Sequence, residues 1–225
     1  EQIRDVARRY FVPNRLNRIV IAPPGGAPKI AADTDRGAEG EIRSLRLSNG
    51  LRVLLKRHSH LPMVNLQAYT IGAALVDTPQ TAGRAALVGA MLDRGTPTKS
   101  ATEIADYFDS IGGRFSTSAG RFTVYASATV LKPDFAEAAA IFAECLNQPT
   151  FPEDEFTKVK TLALGAIARR TASPQAEIFE AFNDALPATS PFHLVQGGKK
   201  ETIEPLTAAD LKQYHADYIV PQNMI

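Results

Sequence analysis

The 225 residues carry 25 basic and 24 acidic side chains, mixed along the chain to a formal net charge of +1, with 44% hydrophobic and 22% charged residues. No basic run or aromatic-interleaved basic patch marks a nucleic-acid interface, and no acidic tail marks a solvating arm. The single cysteine, Cys145, excludes an internal disulfide, and no apolar run approaches the roughly 18 residues of a membrane-spanning helix.

Residues 1–10 read as a short helix with Ile3, Val6, Ala7 and Tyr10 on one face. Pro13-Asn14 breaks it, and residues 18–22 read as a short strand. Together, residues 1–22 are expected to close a preceding domain whose bulk lies elsewhere. Residues 23–40 have no hydrophobic period and are rich in Pro, Gly and Ala, the pattern of a linker. Extended at about 3.1 Å per residue, it would reach roughly 50 Å. The start at Glu1 without a methionine and the stop at Ile225 read as those of a fragment, so the absence of a signal peptide says little.

From Glu41 to Ile225 the pattern is that of one compact domain. Residues 42–47 and 51–57 flank Ser48-Asn49-Gly50, a hairpin turn signal, and residues 62–71 alternate as a half-buried strand closed by Gly72. Residues 73–81 read as loop. Residues 83–96 read as an amphipathic helix with Ala85, Leu87, Val88, Met91 and Leu92 inward and Gly95 as its stop. Ala86, Gly89 and Ala90 share another face of that helix; it can receive a neighbouring backbone closely but can neither hold a metal nor move a proton.

Ser100 followed by Glu103 is a capping box, opening a helix with Ile104, Ala105, Tyr107, Phe108 and Ile111 as its apolar stripe and Gly112-Gly113 at its end. Residues 115–119 and 122–130 read as strands joined at Gly120-Arg121, and residues 133–147 as an alanine-rich helix that buries Cys145. Helices are expected over 153–170, 176–186 and 208–217, with loop over 187–200 and a strand entered from Tyr218. Hairpins interspersed with helices predict an α+β two-layer sandwich, a largely antiparallel mixed sheet with helices on one face. Tyr10-Phe-Val-Pro13-Asn14 is echoed by Tyr218-Ile-Val-Pro221-Gln-Asn223, which suggests a parent built of repeated units.

Leu47-Ser-Asn49-Gly50-Leu51-Arg-Val53, then Gly83-Arg-Ala85 with Met91-Leu92-Asp-Arg-Gly95-Thr96, resemble the opening strand pair and the two ends of the active-site helix of the pitrilysin-like (M16) zinc peptidases. Gly112-Gly113, Thr123-Val-Tyr125, Gln148-Pro149-Thr-Phe151, Pro191-Phe192, Gly197, Leu206-Thr207, Asp210-Leu211 and Tyr214 continue the resemblance in order to the end of the chain. The family's inverted motif His-x-x-Glu-His supplies two zinc ligands and a general base, and a Glu on a later helix supplies the third ligand. Residue by residue, those places fall on Ala86, Gly89 and Ala90, and on Gly165-Ala166 within Leu164-Gly-Ala-Ile167. None of these side chains has a donor atom, so the resemblance implies a non-catalytic domain without zinc or other cofactor.

Other candidates carry less. His58-Ser-His60 lacks a third ligand and reads as solvated loop; His193 and His215 read as loop and helix-surface residues; Ser116, Thr117 and Ser118 have no His or Asp partner placed by a motif. Gly25-Gly26 and Gly197-Gly198 fit no phosphate loop. The resemblance does imply one contact surface: Phe115, Ser116, Thr117 and Ser118 fall on the strand whose edge receives a peptide as an added strand in active members; the alternative is an ordinary edge strand kept quiet by small polar residues. The resemblance further implies a partner, a zinc-bearing half elsewhere in the parent or on a second subunit, around an unfolded peptide. The alternative is a scaffold without protease activity, as in the core subunits of the respiratory bc1 complex. Export of bacterial members leans the compartment towards the periplasm.

Overall fold

The computed structural model describes residues 40–58, 60–188, 190 and 192–225. The helix expected over 1–10, the strand over 18–22 and all but the last residue of the linker lie outside them. Strands β1 (Ile42–Arg46) and β2 (Arg52–Lys56) form an antiparallel hairpin with Leu45 opposite Val53. Its turn is local chemistry: the Asn49 carboxamide oxygen accepts from the Leu51 N–H at 3.1 Å, and Gly50 takes a φ of +92°.

The larger sheet has the order β3-β5-β4, with β3 Met63–Ile71, β4 Arg114–Ala119 and β5 Thr123–Leu131. Every ladder among the described residues is antiparallel, and the hairpin stands as a separate sheet. With the helices, these ladders make the α+β, largely antiparallel architecture that the sequence suggests. Parallel neighbours need a long crossover, whereas β4 reaches β5 through a tight turn at Gly120. Period-two burial assigns the faces. Ala68, Thr70, Val124, Ala126, Ala128 and Val130 are buried beneath the helices. Met63, Tyr69, Ile71 and Leu131 stand exposed on the other face.

Helix α1 (Arg84–Met91) is shorter than the 83–96 stretch the pattern predicts. A turn closes it with Arg94 N–H on Met91 O, and Gly95, at φ +147°, bridges to Ser100. Helix α2 (Ala101–Ser110) opens on the predicted capping box, with Ser100 N–H on the Glu103 carboxylate at 2.8 Å. Then follow α3 (Phe135–Asn147), α4 (Glu153–Thr171), α5 (Pro174–Asp184), α6 (Lys200–Ile203) and α7 (Ala208–Tyr218). The short α6 falls at the end of the stretch the sequence gives to loop. The strand predicted from Tyr218 begins only at Met224: α7 runs through Tyr218, a 3-10 turn covers Pro221–Asn223, and then Tyr69 and Ile225 exchange hydrogen bonds of 2.8 and 2.9 Å along the outer edge of β3. Met91, Leu92, Ile203, Leu211 and Tyr214, each at most 1% exposed, place α1 at the centre of the core.

Candidate functional site

Helix α1 is held at its N-terminus by residues the sequence leaves in loops. Gly83 caps it in the left-handed region, and a Cβ there would lie 2.6 Å from Ile203 Cδ1. The carboxylate of Asp77 accepts from the N–H groups of Gly83 at 3.1 Å and Ala85 at 3.4 Å, with Arg84 Nε 3.7 Å away. Burial dominates these contacts and pushes its pKa up to about 6. Arg84 in turn lies 5.3 Å over the ring of Tyr214 on α7. The Thr202 hydroxyl of α6 donates to Ala82 O at 2.7 Å.

On the helix so placed, Ala86 and Ala90 are half-buried and Gly89 is buried. Gly89 sits against the flat of the Ser118–Ala119 peptide group of β4. A Cβ built on it would lie 2.5 Å from Ala119 N, 2.5 Å from Ser118 C and 2.9 Å from Ser118 O. Those distances are below any ordinary contact, so the position accommodates glycine alone unless the strand moves. Helix α4, which packs on α1, carries Gly165 half-buried and Ala166 exposed. Gly165 is unconfined, since a Cβ there would meet only Arg169 Nη1, at 3.6 Å.

A zinc ion does not fit this arrangement. None of the five side chains can coordinate, and at Gly89 the β4 backbone leaves no room for a side chain. Among the described residues no group of three His, Cys, Asp or Glu side chains could hold a metal. Asp93, in the turn that follows α1, is half-buried; burial raises its carboxyl pKa, and Arg94 Nε lies 3.3 Å away.

Strand β4 is an outer strand of its sheet, and the four residues predicted there divide in two. Ser116 and Ser118 face Ser127 and Tyr125 across the ladder and turn their side chains to the outer face. Phe115 and Thr117 turn their side chains to the core and their backbone groups to the outer edge, which among the described residues pairs with no strand. The Phe115 ring stacks on Phe108 at 4.9 Å and tilts against Phe142 at 5.8 Å, so its side chain is a core element rather than a surface for a ligand.

The remaining candidates resolve individually. His58 and His60 are exposed, their rings 6.3 Å apart. His193 Nδ1 bonds Leu186 O at 3.0 Å. His215, expected on a helix surface, is half-buried and joins α7 to the end of α3 through Leu146 O at 2.7 Å; burial lowers its pKa. The Cys145 thiol is fully buried and pushed up to about 12, chiefly by that burial, so it is not a nucleophile. A cavity of about 500 Å³ opens between α4, α5 and α6, floored by Leu164 and Ile167. Its cations are already paired, Arg170 with Glu180 at 3.0 Å and Lys199 with Asp184 at 3.5 Å.

Two polar contacts that shape this region carry no local signature, Asp77 at the head of α1 and Gln196, whose side-chain N–H donates to Ala119 O at 2.8 Å. Both lie in stretches without periodicity, and nothing local announces either partner.

Comparison with known proteins places these features in context. Residues 53–191 match the family model described as insulinase (peptidase family M16). The uncharacterized zinc protease YmxG of Bacillus subtilis (strain 168) is 26% identical over 82% of this chain and 45% of its own length. An uncharacterized zinc protease of Rickettsia bellii (strain RML369-C) is 32% identical over 71% of this chain and 39% of its own. The chain thus spans less than half the length of these relatives. A solved structure of a peptidase M16 inactive domain from Pseudomonas fluorescens superposes with a TM-score of 0.76 at 28% identity, covering 82% of this chain and 45% of that one. A protease from Helicobacter pylori shares the fold with the same TM-score at 19% identity, covering 84% of this chain and 46% of that one.

Proposed function

Because the chain belongs to peptidase family M16, and its zinc positions hold no donor, we propose that it serves as a non-catalytic peptidase domain. In this reading it contributes wall and peptide contacts to a chamber whose chemistry is carried by a zinc-bearing half elsewhere. The observation that carries the reading is the seating of Gly89 on the β4 backbone. On this reading more than ligands is lost, since no side chain fits at Gly89, where the resemblance puts the general base. Two further observations support it. The Pseudomonas fluorescens neighbour is described as an inactive domain, and the match covers only 45% of that chain and of the Bacillus subtilis relative. Ile178, Phe179 and Phe182 of α5 are 70%, 60% and 60% exposed, an apolar surface suited to meeting other polypeptide.

The peptide contact is assigned to the free edge of β4, through backbone pairing at Phe115 and Thr117, with Ser116 and Ser118 lining the outer face beside it. The test has two arms. The purified chain, equilibrated with zinc and dialysed, is expected to retain no stoichiometric metal and to cleave no unfolded peptide; either activity overturns the reading. An M16 half with an intact His-x-x-Glu-His, added to it, is expected to cleave faster than alone. Equal rates would leave a scaffold as the better account.

A further inference from the structure

The free edge of β4 is not open along its whole length. Gly120 N–H bonds Thr123 O at 2.8 Å, and Ala119 stands opposite Val124. Alternation back along the strand turns the backbone groups of Ser118 and Ser116 to β5, and those of Ala119, Thr117 and Phe115 outward. The outermost of these acceptors is engaged, since Gln196 Nε2 donates to Ala119 O across 77 positions of sequence.

The side chain that does this is held in place. Arg121 Nη1 donates to Leu194 O at 3.1 Å and its guanidinium lies 4.7 Å over the Phe192 ring, which meets Phe122 edge-on at 6.0 Å. On the far side, Gly198 is left-handed at φ +72° and packs where any Cβ would run into Ala82 O. Gln196 is half-buried between these two anchors. A strap therefore crosses the end of the strand and presents a side-chain amide where an incoming strand would present its own N–H.

We propose that Gln196 sets the limit of the peptide footprint on β4, so that an extended polypeptide pairs with Phe115 and Thr117 and ends before Ala119. This rests on the reading of β4 as a peptide-binding edge. The ligand is defined by its backbone: two pairing residues exchange both bonds with alternate residues of an antiparallel strand, so the footprint is about three residues. Gln196→Ala releases Ala119 O and extends it to about five.

The experiment uses capped Val-Thr repeats of about three, five and seven residues, titrated into the isotope-labelled chain while backbone amides of β4 are followed by NMR. In the wild type, Phe115 and Thr117 shift, Ala119 does not, and affinity stops rising beyond the shortest peptide. In Gln196→Ala, Ala119 joins the responding set and the five-residue peptide tightens about fivefold over the shortest, the equivalent of one added hydrogen bond. Gln196→Glu keeps the stem but cannot donate, and gives the same lengthening; it guards against a packing defect in the alanine variant. Identical length dependence in all three proteins overturns the role of Gln196 while leaving peptide binding intact. Absence of any β4 response in all three overturns the peptide reading, and the footprint with it.

Discussion

Replacing Gly89 by alanine adds one methyl group where α1 meets β4, and the sign of its effect tests the central geometric claim. Alanine in a helix interior is favoured over glycine by about 1 kcal/mol. Against this, the new Cβ would lie 2.5 Å from Ala119 N and Ser118 C, atoms of a strand fixed by its ladder to β5. Overpacking of this kind costs about 2–3 kcal/mol, so the net loss is about 1–2 kcal/mol. For a domain of this size that lowers the melting temperature by about 2–8 °C. Gly165→Ala on α4 is the internal control. It has the same propensity gain but only Arg169 Nη1 within reach, at 3.6 Å. It is expected to raise the melting temperature by about 2–4 °C. Thermal unfolding of both variants beside the wild type gives the comparison, and their difference isolates the contact. A Gly89→Ala protein melting at or above the wild type would refute the close approach of α1 to β4, and with it the argument that no side chain fits at Gly89.

Asp77 makes stability depend on pH in an uncommon direction. Its pKa is about 6 in the folded chain against 3.8 for the free side chain, so the folded state holds more protons over that interval. Its contribution is complete below the lower value and is lost as pH rises through the upper one, by up to about 3 kcal/mol. Urea unfolding should therefore show the wild type gaining on Asp77→Asn between about pH 7 and pH 5; parallel profiles would contradict it. Thr207 caps α7 by accepting from Asp210 N–H, and Thr207→Ala should cost about 1 kcal/mol in the same assay. The Asp210 carboxyl, held below its usual range by Thr207, should then titrate nearer to that range, readable by carboxyl-resolved NMR.

What could be read from the sequence depended on the span of the physics involved. The Ser100–Glu103 box and the Asn49-Gly50 turn are settled within a few residues, and both appear as the pattern predicts. The small face of Ala86, Gly89 and Ala90 announces that something approaches closely, but not that the neighbour is the peptide group of Ser118–Ala119. Phe115 sits in an alternating strand beside three polar residues, and only the positions of Phe108 and Phe142 assign its ring to the core. His215 has one helix face like any other until α3 brings Leu146 O to it. Asp77 sits six residues ahead of the Gly83 N–H that it caps, beyond the reach of any capping signature.

The pairing of Ile225 with Tyr69 occupies one end of the outer edge of β3. Alternation then leaves the backbone groups of Gln67, Asn65 and Met63 facing outward, without a strand partner among the described residues. Bare edges of this kind are templates for other chains. On the adjoining exposed face, Met63, Tyr69 and Ile71 add apolar side chains to the same strand. Self-association of the 225-residue chain through β3 would follow mass action, so dilution rather than mutation is the first control for its solution behaviour. Binding measured at high protein concentration has to be separated from strand exchange between copies.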